Sequence, residues 1–205
     1  MGWRETRDAA VAEGTAIVEL AEALETDDWG RPALGDWSTG GLVSHVANAM
    51  GAQQQAFQHM LAGSDVTPPY ENRVFDGIAP TMALLRSSHD ALLATQPRLT
   101  EAHVEAVVPL PFGSFPTPLA LQIILLEYGT HRWDLAAVGD PDAALSDETS
   151  ACVLELLPAF LLMYATAPPT DPLAFRLEAG ETIVEVRSGD GGWELAPSAP
   201  GDTLT

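Results

Sequence analysis

"PLALQIILLEYGTHRWDLAAV", residues 118–138, is the stretch that decides how this chain folds. Projected at about 100° per residue, it places Leu121, Ile124, Tyr128, His131 and Leu135 on one stripe, with Glu127 and Asp134 along its acidic edge. A core helix is the reading, starting near Pro118, a favoured first-turn residue, and running to about Val138. Glu127 and His131 then lie one turn apart and face the interior. A carboxylate buried alone costs several kcal/mol, so Glu127 needs a partner. Two answers fit: a structural hydrogen bond to the histidine, or a divalent metal that satisfies both side chains.

A second helix supplies a third group. "DWSTGGLVSHVANAMGAQQQAFQHML", residues 36–61, has Ser38 as N-cap and runs to about residue 62. Its apolar stripe of Leu42, Val46, Ala49, Phe57 and Met60 also carries His45 and, two turns on, Gln53. Two histidines and one carboxylate from two helices make an N,N,O face, common for zinc, non-haem iron or nickel, with positions open to water or substrate. Of the other histidines, His59 reads as solvated, His103 as a surface residue, and His89 as a satisfied core histidine.

Further helices are predicted over residues 5–26, 77–95 and 146–165. The Pro- and Gly-rich "HVEAVVPLPFGSFPTP", residues 103–118, reads as extended chain around a Phe112-Gly113 turn, and "AGSDVTPPYEN", residues 62–72, as a loop. After residue 166 the pattern changes to alternation around Gly-rich turns, a β-meander of two or three strands. The fold expected is mainly α: an antiparallel four-helix bundle with an additional helix over residues 1–166, and a β appendage over 167–205.

The bulk properties exclude several functions. Among 205 residues there are nine arginines, no lysine and a formal net charge of −20. Such a field repels nucleic acid and anionic membranes, and the missing lysine excludes Schiff-base and P-loop chemistry. The single cysteine, Cys152, lies among apolar residues and reads as a small core residue. The chain shows no signal-peptide core and no stretch of membrane-spanning length, so a cytoplasmic protein, monomeric or homodimeric, is expected.

The motifs carry a resemblance. "LGDWSTGGLVSHVAN", residues 34–48, is similar to the first signature of the mycothiol-dependent maleylpyruvate isomerase family, Gly-Trp-Thr-Val-x-x-Leu-x-x-His-Leu. "FGSFPTPLALQIILLEYGTHRWDLAAVGD", residues 112–140, resembles the second, which ends in Glu-x-x-x-His-x-Trp-Asp-Leu. The resemblance covers about residues 5–165 and implies a DinB-like four-helix bundle. It implies that His45, Glu127 and His131 are metal ligands, and that Trp133 and Asp134 stand for the Trp-Asp after the last ligand. Asp36-Trp37 departs from the family's Pro-Gly-Trp, and residues 167–205 look like only the opening strands of the sterol-carrier-like domain of longer members.

From these readings we expect a metal-dependent enzyme that takes a small-molecule substrate. A divalent ion, Zn²⁺ first and Ni²⁺ or Fe²⁺ as alternatives, activates a low-molecular-weight thiol such as mycothiol for S-transfer to, or isomerisation of, an electrophile. Gln53, Tyr128 and Asp134 are expected behind the ligands or against the substrate. The other readings are a thiol-independent metal-hydroxide hydrolase or lyase, and a non-catalytic metal- or metabolite-binding bundle.

Overall fold

The structure, a computed structural model, describes residues 1–164, 174–179, 182–189 and 192–197. By contact the chain forms two units, Met1–Ser146 and Asp147–Thr205. The helix Asp147–Tyr164 therefore groups with the strands that follow it, whereas the sequence pattern joins it to the bundle.

The first unit begins with α1, Trp3–Ala23, which buries Ala10, Gly14, Ile17, Val18 and Ala21, the spacing of one helical face. A turn of 3₁₀ helix, Thr26–Gly30, leads to a small antiparallel hairpin, β1 (Pro32–Leu34) with β2 (Trp37–Ser38). Helix α2, Thr39–Leu61, follows, and Ser38 Oγ caps it by accepting from Gly41 N at 3.1 Å. Helix α3 spans Ile78–Thr95. Strands β3 (Val107–Leu110) and β4 (Gly113–Pro116), in the segment read as extended chain around a Phe112-Gly113 turn, pair as a hairpin with Leu110 opposite Gly113. Pro111 and Phe112 make its turn.

Helix α4, Thr117–Ala137, is formed by the stretch that reads as a core helix. Leu121, Ile124, Tyr128 and Leu135 of its stripe are buried, and so are Ala120, Ile123 and Leu125 away from it. Buried residues on more than one side fit a helix that packs on α1 and, more lightly, on α2. The four helices pack chiefly as two pairs, α2 on α3 and α1 on α4. A polar link joins the pairs, Gln54 Nε2 donating to Tyr128 Oη at 3.2 Å, and Gln96 Nε2, just after α3, fixes Gln54 by donating to its Oε1 at 2.8 Å. These bonds also hold α2 and α4, the two helices of the predicted ligands, in register.

Gly14 marks the tightest helix contact. A Cβ there would lie 2.6 Å from Leu92 Cδ2 and 3.4 Å from Met50 Cε. Gly14→Val is accordingly expected to destabilise the bundle by about 2–3 kcal/mol, since overpacking costs typically 1–3 kcal/mol and valine recovers little helix propensity over glycine. A urea unfolding midpoint equal to or above that of the parent would contradict this packing.

In the second unit, α5 (Asp147–Tyr164) precedes a three-stranded antiparallel meander, β5 (Ala174–Ala179), β6 (Thr182–Gly189) and β7 (Gly192–Pro197), in that order. Val186 is buried in the central strand, in backbone register with Phe175 of β5 and Leu195 of β7. Cys152 is buried on α5, as its surroundings suggested.

Candidate metal centre

The cap at Ser38 places His45 two turns into α2, on the side turned to α4. The loop between α2 and α3 then folds back over it. Ser44 Oγ and Asn48 Nδ2 both donate to Arg73 O, at 2.6 and 2.9 Å, and tie the loop to α2. That tether brings the Tyr70 hydroxyl to 3.0 Å from His45 Nδ1. On the other side the Trp37 ring lies 4.7 Å from the His45 ring, centre to centre.

The other nitrogen of His45 faces α4. His45 Nε2 is 3.1 Å from Glu127 Oε1, and His131 Nε2 is 3.7 Å from the same oxygen. The two imidazoles meet edge to face, with ring centres 5.1 Å apart. Behind His131, Asp134 Oδ2 lies 2.9 Å from Nδ1. His45, Glu127 and His131, predicted from two separate helices, are thus brought together, and Asp134 lies against the far nitrogen of His131.

Burial pushes the Glu127 carboxyl up, but the hydrogen bond from His45 and the nearby imidazoles of His131 and His45 pull harder, and its pKa falls below the ordinary 4.5. Held there, Glu127 contributes stability that is complete above pH 4.5 and is lost as the pH falls through its lower folded value. Burial raises the Tyr70 hydroxyl, and the Glu127 charge raises it further.

The donors suit a divalent cation. Asp134, ionised, only accepts, so His131 carries its proton on Nδ1, and the neutral ring turns a lone pair from Nε2 toward the Glu127 carboxylate. That lone pair and the carboxylate need a positive charge between them, which a proton on Nε2 or a cation supplies. Donors held about 2.0–2.1 Å from a tetrahedral centre lie roughly 3.4 Å from one another. The 3.1 and 3.7 Å separations bracket that value, and ligand atoms of all three residues fall within 4.8 Å of one another.

The centre opens on a cavity of about 150 Å³ lined by His45, Ala49, Gln53, Tyr70, Pro111, Phe112 and Glu127. Gln53 is almost fully buried, and its Oε1 has no hydrogen-bond partner among the described residues. A buried amide oxygen left unpaired costs about 1–3 kcal/mol, which a ligand carrying an N–H or O–H would recover.

One expectation needs correction. Tyr128 does not line this cavity: it is fully buried, and its hydroxyl accepts from Gln54 in the core. A helical projection assigns a face but not the depth at which a long side chain ends. The other histidines stand apart from the centre: His89 Nε2 bonds Thr15 Oγ1 at 3.0 Å, His59 Nδ1 bonds Val66 O at 2.6 Å, and His103 Nδ1 accepts from Thr100 N at 3.1 Å. Tyr70, Trp37, Pro111 and Phe112 join the site from loops and hairpins, where no periodicity points to them. The only hint of Tyr70 is its place directly after Pro68-Pro69, which stiffen the approach.

The family model of the DinB superfamily matches residues 10–135, from α1 almost to the end of α4 and across all three residues of the centre. The chain belongs to the DinB superfamily. Two solved structures resemble this DinB-superfamily protein. The crystal structure of the mycothiol-dependent maleylpyruvate isomerase is 18% identical over 79% of this chain and 70% of that one, with a TM-score of 0.61. A histidine-to-alanine variant of that enzyme is 15% identical over 98% of this chain and 82% of that one, with a TM-score of 0.68. At such identities the likeness establishes the fold. No curated protein matches the chain in sequence.

Asp134→Asn is expected to weaken zinc binding about 10–100-fold, the usual effect of removing an acceptor behind a ligating histidine. Chelator competition measures it. Unchanged affinity would mean that Asp134 does not orient His131 for a metal.

Proposed function

We propose that this DinB-superfamily protein binds one divalent metal, Zn²⁺ before Ni²⁺ or Fe²⁺, through His45, Glu127 and His131. With it the protein uses a low-molecular-weight thiol, mycothiol or one like it, for S-transfer to or isomerisation of a small electrophile. The observation that carries this reading is the pair of imidazole Nε2 atoms aimed at one carboxylate oxygen, 3.1 and 3.7 Å away. When bound, the ion supplies the positive charge that favours the thiolate form of a cosubstrate.

The chain's own residues do the rest. Glu127 offsets part of the ion's charge, and Asp134 holds the His131 ring. Ala49, Tyr70, Pro111 and Phe112 wall the cavity with carbon and limit water at the reacting atoms. Gln53 offers its unpaired amide to the substrate or cosubstrate. Cys152 is buried on α5, so the nucleophilic sulfur comes from outside.

Among the described residues no helix is long and apolar enough to cross a membrane. With the acidic surface, this supports a small-molecule enzyme of the cytoplasm, monomeric or homodimeric, without a nucleic-acid or membrane partner. The fold shared with the isomerase supports the choice of thiol.

The test is metal analysis of the purified protein, then turnover of a panel of electrophiles and esters with and without mycothiol. The reading expects about one metal per chain and turnover only when thiol is present. Thiol-independent hydrolysis would replace it with the metal-hydroxide hydrolase or lyase. No turnover by the metal-loaded protein would replace it with a binding module.

A further inference from the structure

We propose that Tyr70 is a positioning residue of the metal centre, holding His45 in the tautomer that leaves Nε2 free to ligate. The inference rests on the metal reading above and concerns a residue outside the three ligands.

The two histidines are supported differently. His131 has the Asp134 carboxylate behind Nδ1, an acceptor only, and its tautomer is set whether or not an ion is present. His45 has a hydroxyl behind Nδ1, which can both donate and accept. Without an ion, Glu127 Oε1 at 3.1 Å accepts from His45 Nε2–H, so the neutral ring accepts at Nδ1 from the Tyr70 O–H. With an ion at Nε2 the ring must carry its proton on Nδ1, and the same Tyr70 oxygen then accepts it. Tyr70 rotates one O–H bond and serves both states. A carboxylate at this place would serve only the second, and a phenylalanine would serve neither.

Its position fits this role. Tyr70 reaches His45 from a loop pinned to α2 through Arg73 O, so its hydroxyl is located by bonds at Ser44 and Asn48, less than two turns from His45 on the same helix. The rings of Tyr70 and His45 lie edge to face with centres 6.5 Å apart. Tyr70 also lines a second cavity, of about 250 Å³, together with Asn48, Pro69, Arg73 and Phe75. It is the side chain common to that cavity and the metal cavity.

The test compares wild type, Tyr70→Phe and Glu71→Gln in the full chain. Glu71 is the next residue on the loop, and its carboxylate bonds Arg73 rather than the centre. Zn²⁺ affinity, measured against a chromophoric chelator, is expected to fall about 10–100-fold in Tyr70→Phe and to stay within about twofold in Glu71→Gln. In ¹⁵N-labelled wild type, loading with Zn²⁺ is expected to move the His45 proton from Nε2 to Nδ1. In Tyr70→Phe the Nδ1–H signal should broaden through exchange with water.

Affinity within twofold of wild type in Tyr70→Phe overturns the proposal and leaves the metal reading standing. So does an equal loss in Glu71→Gln, which would be an effect of loop charge. A wild-type protein that takes up no zinc overturns both.

Discussion

Glu127→Gln is expected to lower zinc affinity by well over a hundredfold while leaving the bundle folded. The amide is nearly isosteric with the carboxylate and can still accept from His45 Nε2, so the metal-free packing around the 3.1 Å contact survives. What it removes is the negative charge that offsets the cation and the strong oxygen donor common to both histidine contacts. The loss should therefore exceed the 10–100-fold that follows removal of an outer partner. Equilibrium dialysis against zinc, with circular dichroism on the same sample, separates the outcomes. Undiminished affinity would remove Glu127 from the ligand set. A melted bundle would make the pair structural, the first of the two readings that the sequence leaves open.

The second large effect is the response of metal binding to acid. Ligation requires both imidazoles deprotonated at Nε2, so each histidine protonated in the free site gives up one proton when the ion enters. Glu127 gives up none above pH 4.5, because its pKa lies below that value. The limiting slope of log affinity against pH is accordingly two, about a hundredfold per pH unit on the acid side. In His131→Ala, where much weaker binding remains measurable with a competing chelator, the slope should fall to one. A wild-type slope of one would mean that a single histidine ligates, and the three-residue centre would have to be redrawn.

The cluster of His45, Glu127 and His131 was legible because polar residues stood where helical periodicity demands apolar ones. His45 lies in the stripe of Leu42, Val46 and Ala49, and Glu127 and His131 lie beside Ile124 and Leu135, so each is an exception to a rule that period and composition already enforce. Asp134 followed from its spacing of three from His131, which puts it on the same face. The capped start of α2 was legible from Ser38. Tyr70 was not, because its reach depends on the pinning of Arg73 O by Ser44 and Asn48, a contact between a helix and a loop with no period of its own. Pro111 and Phe112 fell in the segment read as extended, yet their place against the metal cavity depends on how β3 and β4 lie on the helices. Tyr128 was assigned to the correct stripe and the wrong neighbour, since its hydroxyl answers to Gln54 opposite it. The grouping of α5 with the strands is likewise a matter of contacts that amphipathicity does not encode.

The packing of the helices in two pairs gives the centre a mechanical meaning. His45 belongs to the α2–α3 pair, and Glu127 and His131 belong to the α1–α4 pair. The bond between His45 and Glu127 closes 82 residues of chain across the line where the pairs meet. An ion held there, as proposed, would act as a clasp on a seam. It would add ligand bonds between two pairs that pack less on each other than within themselves. Without an ion, the bonds from His45 to Glu127 and from Gln54 to Tyr128 span that line. On the proposed metal reading, the three side chains that would hold the ion would also fasten the two helix pairs to each other.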